Sequence, residues 1–141
     1  MSKIKRTFLF MSIYLTLLHV DYLLKKHGFE YIFDKYTTKY SLENKKTVDE
    51  TSLQVINQVV KLINTVCRFY PLEAECIQRS LLSYKYIRRV ADIEVDMVVG
   101  VKKHPFESHA WIELNGMSLT EPEDAIKDFM IILTSKGGIP Q

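Results

Sequence analysis

The sequence predicts an α+β fold in which helices come first and an antiparallel sheet follows. Two patterns carry that prediction. Up to about residue 90 apolar residues recur at steps of three and four, and from Ile93 onward they alternate one by one. The alternation folds back at Asn115-Gly116, a strong local hairpin signal. A length of 141 residues allows one structural domain. With 47% hydrophobic and 26% charged residues, the composition is that of a globular protein with a sizeable core, not of a disordered, collagen-like or repeat chain.

The first element is an apolar stretch from Thr7 to Leu24 behind Met-Ser-Lys-Ile-Lys-Arg. A secretory signal would need a small-residue cleavage site, which Leu18-His19-Val20-Asp21-Tyr22 does not offer. A membrane span would need about 20 nearly uncharged residues, and His19 and Asp21 interrupt its far end. The stretch is therefore read as a packed helix, with weak attachment to a membrane surface and a true span as the alternatives. Residues 34–46 are polar and read as a connection, which divides a basic helical segment, 1–46, from a body, 47–141, on which it packs or to which it is tethered.

Thr47-Val48-Asp49-Glu50 has capping-box spacing for the start of the next helix. Leu53, Ile56, Val60, Ile63 and Cys67 then form one apolar stripe, which makes Cys67 a small core residue whose burial raises its pKa and keeps it inert. Pro71 ends this helix. A further helix follows, with Ile77, Leu81, Tyr84 and Ile87 as its buried stripe and Arg79, Lys85, Arg88 and Arg89 mostly facing water. Strands are predicted over Ile93–Val101, Ser108–Leu114 and Met117–Glu121. A last one is predicted over Phe129–Leu133, into which a helix beginning near Pro122 could reach.

Charge excludes one class of function. Nineteen Lys and Arg against 17 Asp and Glu give a net charge of +2, too weak for nucleic-acid binding without a concentrated basic face. The balance is uneven, since residues 1–46 carry nine basic and four acidic side chains and residues 47–141 ten and thirteen. Two cysteines cannot form a disulfide framework and suit a reducing, cytoplasmic compartment. The four histidines show no metal-ligand spacing, and neither a metal nor another cofactor is expected.

Cys76 falls at the first turn of its helix, where unpaired N–H groups and the positive end of the macrodipole stabilise a thiolate, although Glu75 opposes them. His109 lies on a strand with Trp111 and Glu113 on the same face, and a Cys with a His is the minimal pair for thiolate attack on a carbonyl. A third group must orient the imidazole, and the acidic candidates are Glu113, Glu121, Glu123 and Asp124. Strand parity leaves two outcomes. A three-residue loop, Leu114-Asn115-Gly116, sets His109 opposite Glu121, whereas a two-residue type I′ turn pairs Leu114 with Met117 and sends Glu121 to the other face. The residues suit either loop.

These residues resemble a family. Cys76-Ile-Gln-Arg-Ser-Leu-Leu, the strand ending Val98-Val99-Gly100-Val101, and Phe106-Glu-Ser-His-Ala-Trp-Ile-Glu-Leu-Asn-Gly116 are similar to the transglutaminase-like cysteine proteases of lasso-peptide biosynthesis. The likeness covers about residues 68–121. It implies a transglutaminase/papain-like core with the nucleophile at a helix N-terminus, Cys76 as nucleophile, His109 as general base and Glu121 as the third member. The family usually has Asp at that last position, and Asp124 is the reserve. The Cys76 backbone N–H would serve as oxyanion donor, Trp111 as a wall of the site, and Gly100 marks a bulge or a close backbone approach. The implied task is removal of the leader from a ribosomally made precursor peptide, so that an ATP-dependent cyclase can close the macrolactam ring. With no room expected for a recognition domain, a separate small protein would hold the leader. Alternatives are acyl transfer to an amine and a non-catalytic docking protein for a precursor or transporter.

Overall fold

The structure is a computed structural model that describes residues 2–39 and 48–135. Its elements run α1 (Lys3–His27), α2 (Phe29–Lys39), α3 (Glu50–Phe69), α4 (Cys76–Tyr86), a π-helical turn (Ile87–Ala91), β1 (Asp96–Lys102), β2 (Glu107–Leu114), β3 (Met117–Ser118), α5 (Glu123–Ile126) and β4 (Met130–Thr134). The four strands form one antiparallel sheet in the order β3-β2-β1-β4. Helices precede the sheet, and the fold is α+β as predicted.

α4 is the central element. Gln78, Ser80, Leu81, Leu82, Ser83, Tyr84 and Tyr86 are all buried, since α3 and α1 cover one side and β2 and β1 the other. Ala110, Ile112 and Leu114 of β2 and Met97 and Val99 of β1 join α1, α2, α3 and α4 in one core. The alternate residues Val98 and Trp111 build a second, smaller cluster with Ile126 and Phe129. That division follows from the period of two along each strand.

α1 packs through Ile13, Leu17, Val20 and Leu23. Polar contacts fasten it as well. The Tyr86 hydroxyl shares hydrogen bonds with Ser12 Oγ at 2.7 Å and Thr16 Oγ1 at 2.8 Å, and the Tyr70 hydroxyl donates to the buried Asp21 carboxylate at 3.0 Å. Burial and that carboxylate push the Tyr70 hydroxyl up to about 12.

Several boundaries differ from the sequence expectations. The polar stretch from Asp34 is helical as far as Lys39, because Ile32, Phe33 and Tyr36 give α2 a buried face that outweighs its polar remainder. The capping box expected at Thr47 is replaced by Asp49, whose Oδ1 accepts from Ser52 N–H at 2.7 Å; Thr47 itself lies outside the described residues. Leu53 is exposed, and Val59, Leu62 and Val66 share the buried face with Ile56, Ile63 and Cys67.

Arg88, expected in water, is 4% exposed. Its guanidinium donates twice to the Val95 carbonyl, at 3.2 and 2.8 Å, and lies 4.2 Å from the centre of the Tyr84 ring. The strand expected from Ile93 begins only at Asp96, which pairs with Glu113 next to the end of β2 at Leu114, and the Val95 carbonyl just before it accepts from the guanidinium instead. The predicted third strand keeps only Met117 and Ser118, and the helix expected near Pro122 is the single turn α5, which ends before β4.

Candidate active site

The helix carrying Cys76 starts where it does because Pro71 breaks α3 and Glu75 caps α4. The Glu75 N–H donates to Gln78 Oε1 at 3.0 Å, which closes the first turn. Cys76 is the first residue of α4, so its backbone N–H belongs to the turn whose N–H groups have no intrahelical acceptor. The side chain is half-buried.

Cys76 opens into a cleft of about 640 Å³. α3 contributes Val60, Asn64 and Arg68 to its lining, the start of α4 contributes Ala74, Glu75, Arg79, Ser80 and Ser83, and the sheet side contributes His109, Ala110, Thr120 and Glu121. Cys76, His109 and Glu121 thus share one concave surface. His109 Nε2 lies 3.0 Å from Glu121 Oε1, and both side chains are 29% exposed. A neutral imidazole that donates from Nε2 to this carboxylate keeps Nδ1 as its basic nitrogen.

The hairpin is the two-residue kind. Leu114 pairs with Met117, and Asn115 and Gly116 take φ of 52° and 82°, the left-handed values of a type I′ turn. Parity would then send Glu121 away from His109, yet the two meet. The expectation fails because β3 stops at Ser118. Leu119 N–H still donates to the Ile112 carbonyl at 2.8 Å, but Ile112 N–H is met by the Thr120 hydroxyl at 3.0 Å instead of a backbone carbonyl. The Glu121 N–H then turns back to Ser118 Oγ at 3.1 Å. A side-chain acceptor inserted in the ladder releases the next residue from the alternation.

Of the other acidic candidates, Glu113 accepts from Trp111 Nε1 at 2.8 Å, Glu123 Oε1 accepts from Ser118 N–H at 2.9 Å, and Asp124 is exposed on α5. The structure brings Glu121 to the imidazole. Trp111 is 2% exposed and backs His109 without lining the cleft, its ring centre 6.4 Å from the imidazole, with Phe129 at 6.0 Å. Gly100 pairs with His109, sits at a bulge between β1 and β4, and leaves room for these rings: a Cβ there would lie 2.8 Å from Trp111 Cη2 and 3.1 Å from Phe129 Cβ. Both readings of Gly100 from the sequence hold.

Cys67 is 7% exposed, and burial pushes its thiol up, against a smaller opposing pull from the Arg79 guanidinium. Sequence reasoning missed the cationic part of the cleft. Arg79 could have been found, because a residue three positions after Cys76 shares its helix face. Arg68 reaches the cleft only through the packing of α3 on α4. Among the described residues no group of three or more His, Cys, Asp or Glu side chains converges to hold a metal ion.

A cysteine at a helix N-terminus, in one cleft with a histidine from β2 and a carboxylate from the segment that follows β3, is the arrangement that cysteine-dependent acyl transfer requires. The chain belongs to the transglutaminase-like superfamily, whose sequence profile matches residues 21–134. Searches of curated proteins and of solved structures return no match. Membership supports a function of the general cysteine-peptidase type.

Proposed function

We propose that this protein is a cysteine peptidase that removes the leader from a lasso-peptide precursor. The observation that carries the peptidase reading is the 3.0 Å His109–Glu121 pair facing the same cleft as the half-buried thiol at the start of α4. The choice of precursor is supported by the run of motifs Cys76-x-x-x-Ser80-Leu81, Gly100-Val101 and His109-Ala110-Trp111-x-Glu113-x-x-Gly116.

In this reading His109 takes the Cys76 proton, and the thiolate attacks the scissile carbonyl carbon. The oxygen of the tetrahedral intermediate is met by the Cys76 backbone N–H. His109 then protonates the leaving amine as the C–N bond breaks, which frees the core peptide and leaves the leader as a thioester on Cys76. Water, deprotonated by His109, releases the leader. Glu121 holds the imidazole in the tautomer that keeps Nδ1 basic. A separate small protein presents the leader, and an ATP-dependent cyclase receives the freed N-terminus.

The test is precursor cleavage in the presence of the leader-binding protein, followed by mass spectrometry. Cys76→Ala abolishes cleavage and Cys67→Ala largely preserves it, with the two product masses summing to the precursor plus one water. Equal loss in both variants, with both folded, refutes Cys76 as nucleophile. A product joined to an amine, without added water, replaces hydrolysis by acyl transfer.

A further inference from the structure

α1 is apolar on two faces. One is the face that packs into the core, and the other is open. Ile4, Phe8, Met11, Leu15, Leu18 and Tyr22 follow one another at steps of four, three, four, three and four, and all are between 42% and 73% exposed. At a rise of about 1.5 Å per residue they make a straight ridge about 27 Å long. This is a contiguous patch, not scattered surface apolar residues, and patches of that kind mark interaction sites.

Charge identifies the occupant. Lys3 and Lys5 stand at one end of the ridge and Lys25 and Lys26 at the other, all exposed. Lys26 Nζ reaches the Tyr22 hydroxyl at 3.1 Å, so a cation already borders the apolar row. The sole carboxylate of the helix, Asp21, is turned inward, where it accepts from Tyr70 and pairs with Lys25 at 3.4 Å. No exposed acid of α1 would repel an anionic surface. A convex apolar row with cations at both ends is the pattern of a helix that lies in a bilayer interface, its lysines directed to the headgroups.

α1 is also long and apolar enough to cross a membrane. Spanning would strip Ile13, Leu17 and Val20, each fully buried, out of the core, together with the Tyr86 and Tyr70 hydrogen bonds. Lying flat keeps every one of them. We propose that the outer ridge of α1 docks this protein onto an anionic lipid bilayer while α1 remains packed on α3 and α4. The inference does not depend on the peptidase reading.

The test is co-sedimentation of the full chain with unilamellar vesicles of phosphatidylcholine alone or containing one-third phosphatidylglycerol. The protein is expected to bind the anionic vesicles, with affinity falling as salt rises. Phe8→Ser with Leu15→Ser should lower binding about tenfold or more. Lys3→Gln, Lys5→Gln, Lys25→Gln and Lys26→Gln together should remove the preference for anionic lipid. Phe8 and Leu15 are exposed, so matching thermal melts separate lost binding from lost folding. No binding to anionic vesicles, or undiminished binding by the doubly substituted protein, overturns the proposal. So does a dimer of the lipid-free protein that the same double substitution converts to monomer, since a second copy would then cover the ridge.

Discussion

Replacing Glu121 tests how the site is wired. Its carboxylate lies 3.0 Å from His109 Nε2, with both side chains 29% exposed. A hydrogen bond with one charged partner is worth ~1.5–3 kcal/mol and a neutral one ~0.5–1.5 kcal/mol. Glu121→Gln keeps an acceptor of the same size and removes the charge, so the expected cost is the difference, ~1–1.5 kcal/mol, or a rate factor of about 5–13. Glu121→Ala removes the whole interaction, ~1.5–3 kcal/mol or about 13- to 160-fold. Solvent reaches almost a third of each side chain, which favours the lower half of both ranges. Glu121→Asp should lie between wild type and Glu121→Gln, because it keeps the charge and shortens the reach by one methylene.

The assay is alkylation of Cys76 by iodoacetamide from pH 5 to 9, with peptide mapping to separate it from the buried Cys67. The expected order of rates is wild type, then Asp, Gln and Ala at position 121. Urea unfolding of Glu121→Ala should lose the lower part of the same ~1.5–3 kcal/mol and Glu121→Gln less, and matching signals without urea show that each variant is folded. A Glu121→Ala protein that reacts at the wild-type rate across the range, while His109→Ala slows, refutes this role of the carboxylate. In that case the carboxylate would not act through the imidazole.

Three further outcomes follow from the packing. Gly100→Ala places a methyl group 2.8 Å from Trp111 Cη2, so urea unfolding should show a loss of ~1–3 kcal/mol, accompanied by slower Cys76 alkylation as the rings beside His109 shift. Arg88→Ala withdraws two charged donors from the Val95 carbonyl and should cost ~2–3 kcal/mol in the same measurement. Tyr70 has its folded-state value raised from 10 to about 12 by burial first and by the Asp21 hydrogen bond next. Its neutral form is therefore favoured in the folded state, and that stability is full below pH 10 and lost as pH rises through 12. Urea midpoints of wild type should fall between pH 10 and 12, and Tyr70→Phe should flatten that part of the decline.

The order of elements was legible because period is a local property. Helical spacing around Ile56, Ile63 and Cys67 and strand alternation around Met97 and Ile112 each need only a short window of residues. Gly100 was legible for a related reason: a glycine inside a strand has few causes. What failed depended on distant partners. Arg88 looks solvated until Val95 and Tyr84 close around it, and α2 looks like a linker until Ile32, Phe33 and Tyr36 find the core.

The candidate site was legible in its parts and not in its geometry. The position of Cys76 at a helix start follows from Pro71 and the return of helical period. The meeting of His109 with Glu121 does not follow from parity, since it arises from the Thr120 hydroxyl replacing a backbone carbonyl opposite Ile112. A regular ladder through Glu121 would have put the carboxylate on the opposite face. The exposed row along α1 was hidden in the sequence because an apolar helix with two apolar faces looks like a buried one; only the packing of Ile13, Leu17 and Val20 shows which face is left over.

The peptidase mechanism requires a covalent intermediate on Cys76. The direct measurement is acid quench of the protein mixed with precursor and leader-binding protein, followed by intact-mass analysis and peptide mapping. A transient adduct on Cys76 equal to the leader less one water is expected, absent in Cys76→Ala and reduced in His109→Ala. Cleavage that proceeds at the wild-type rate in Cys76→Ala, or an adduct that maps to Cys67, would contradict the mechanism.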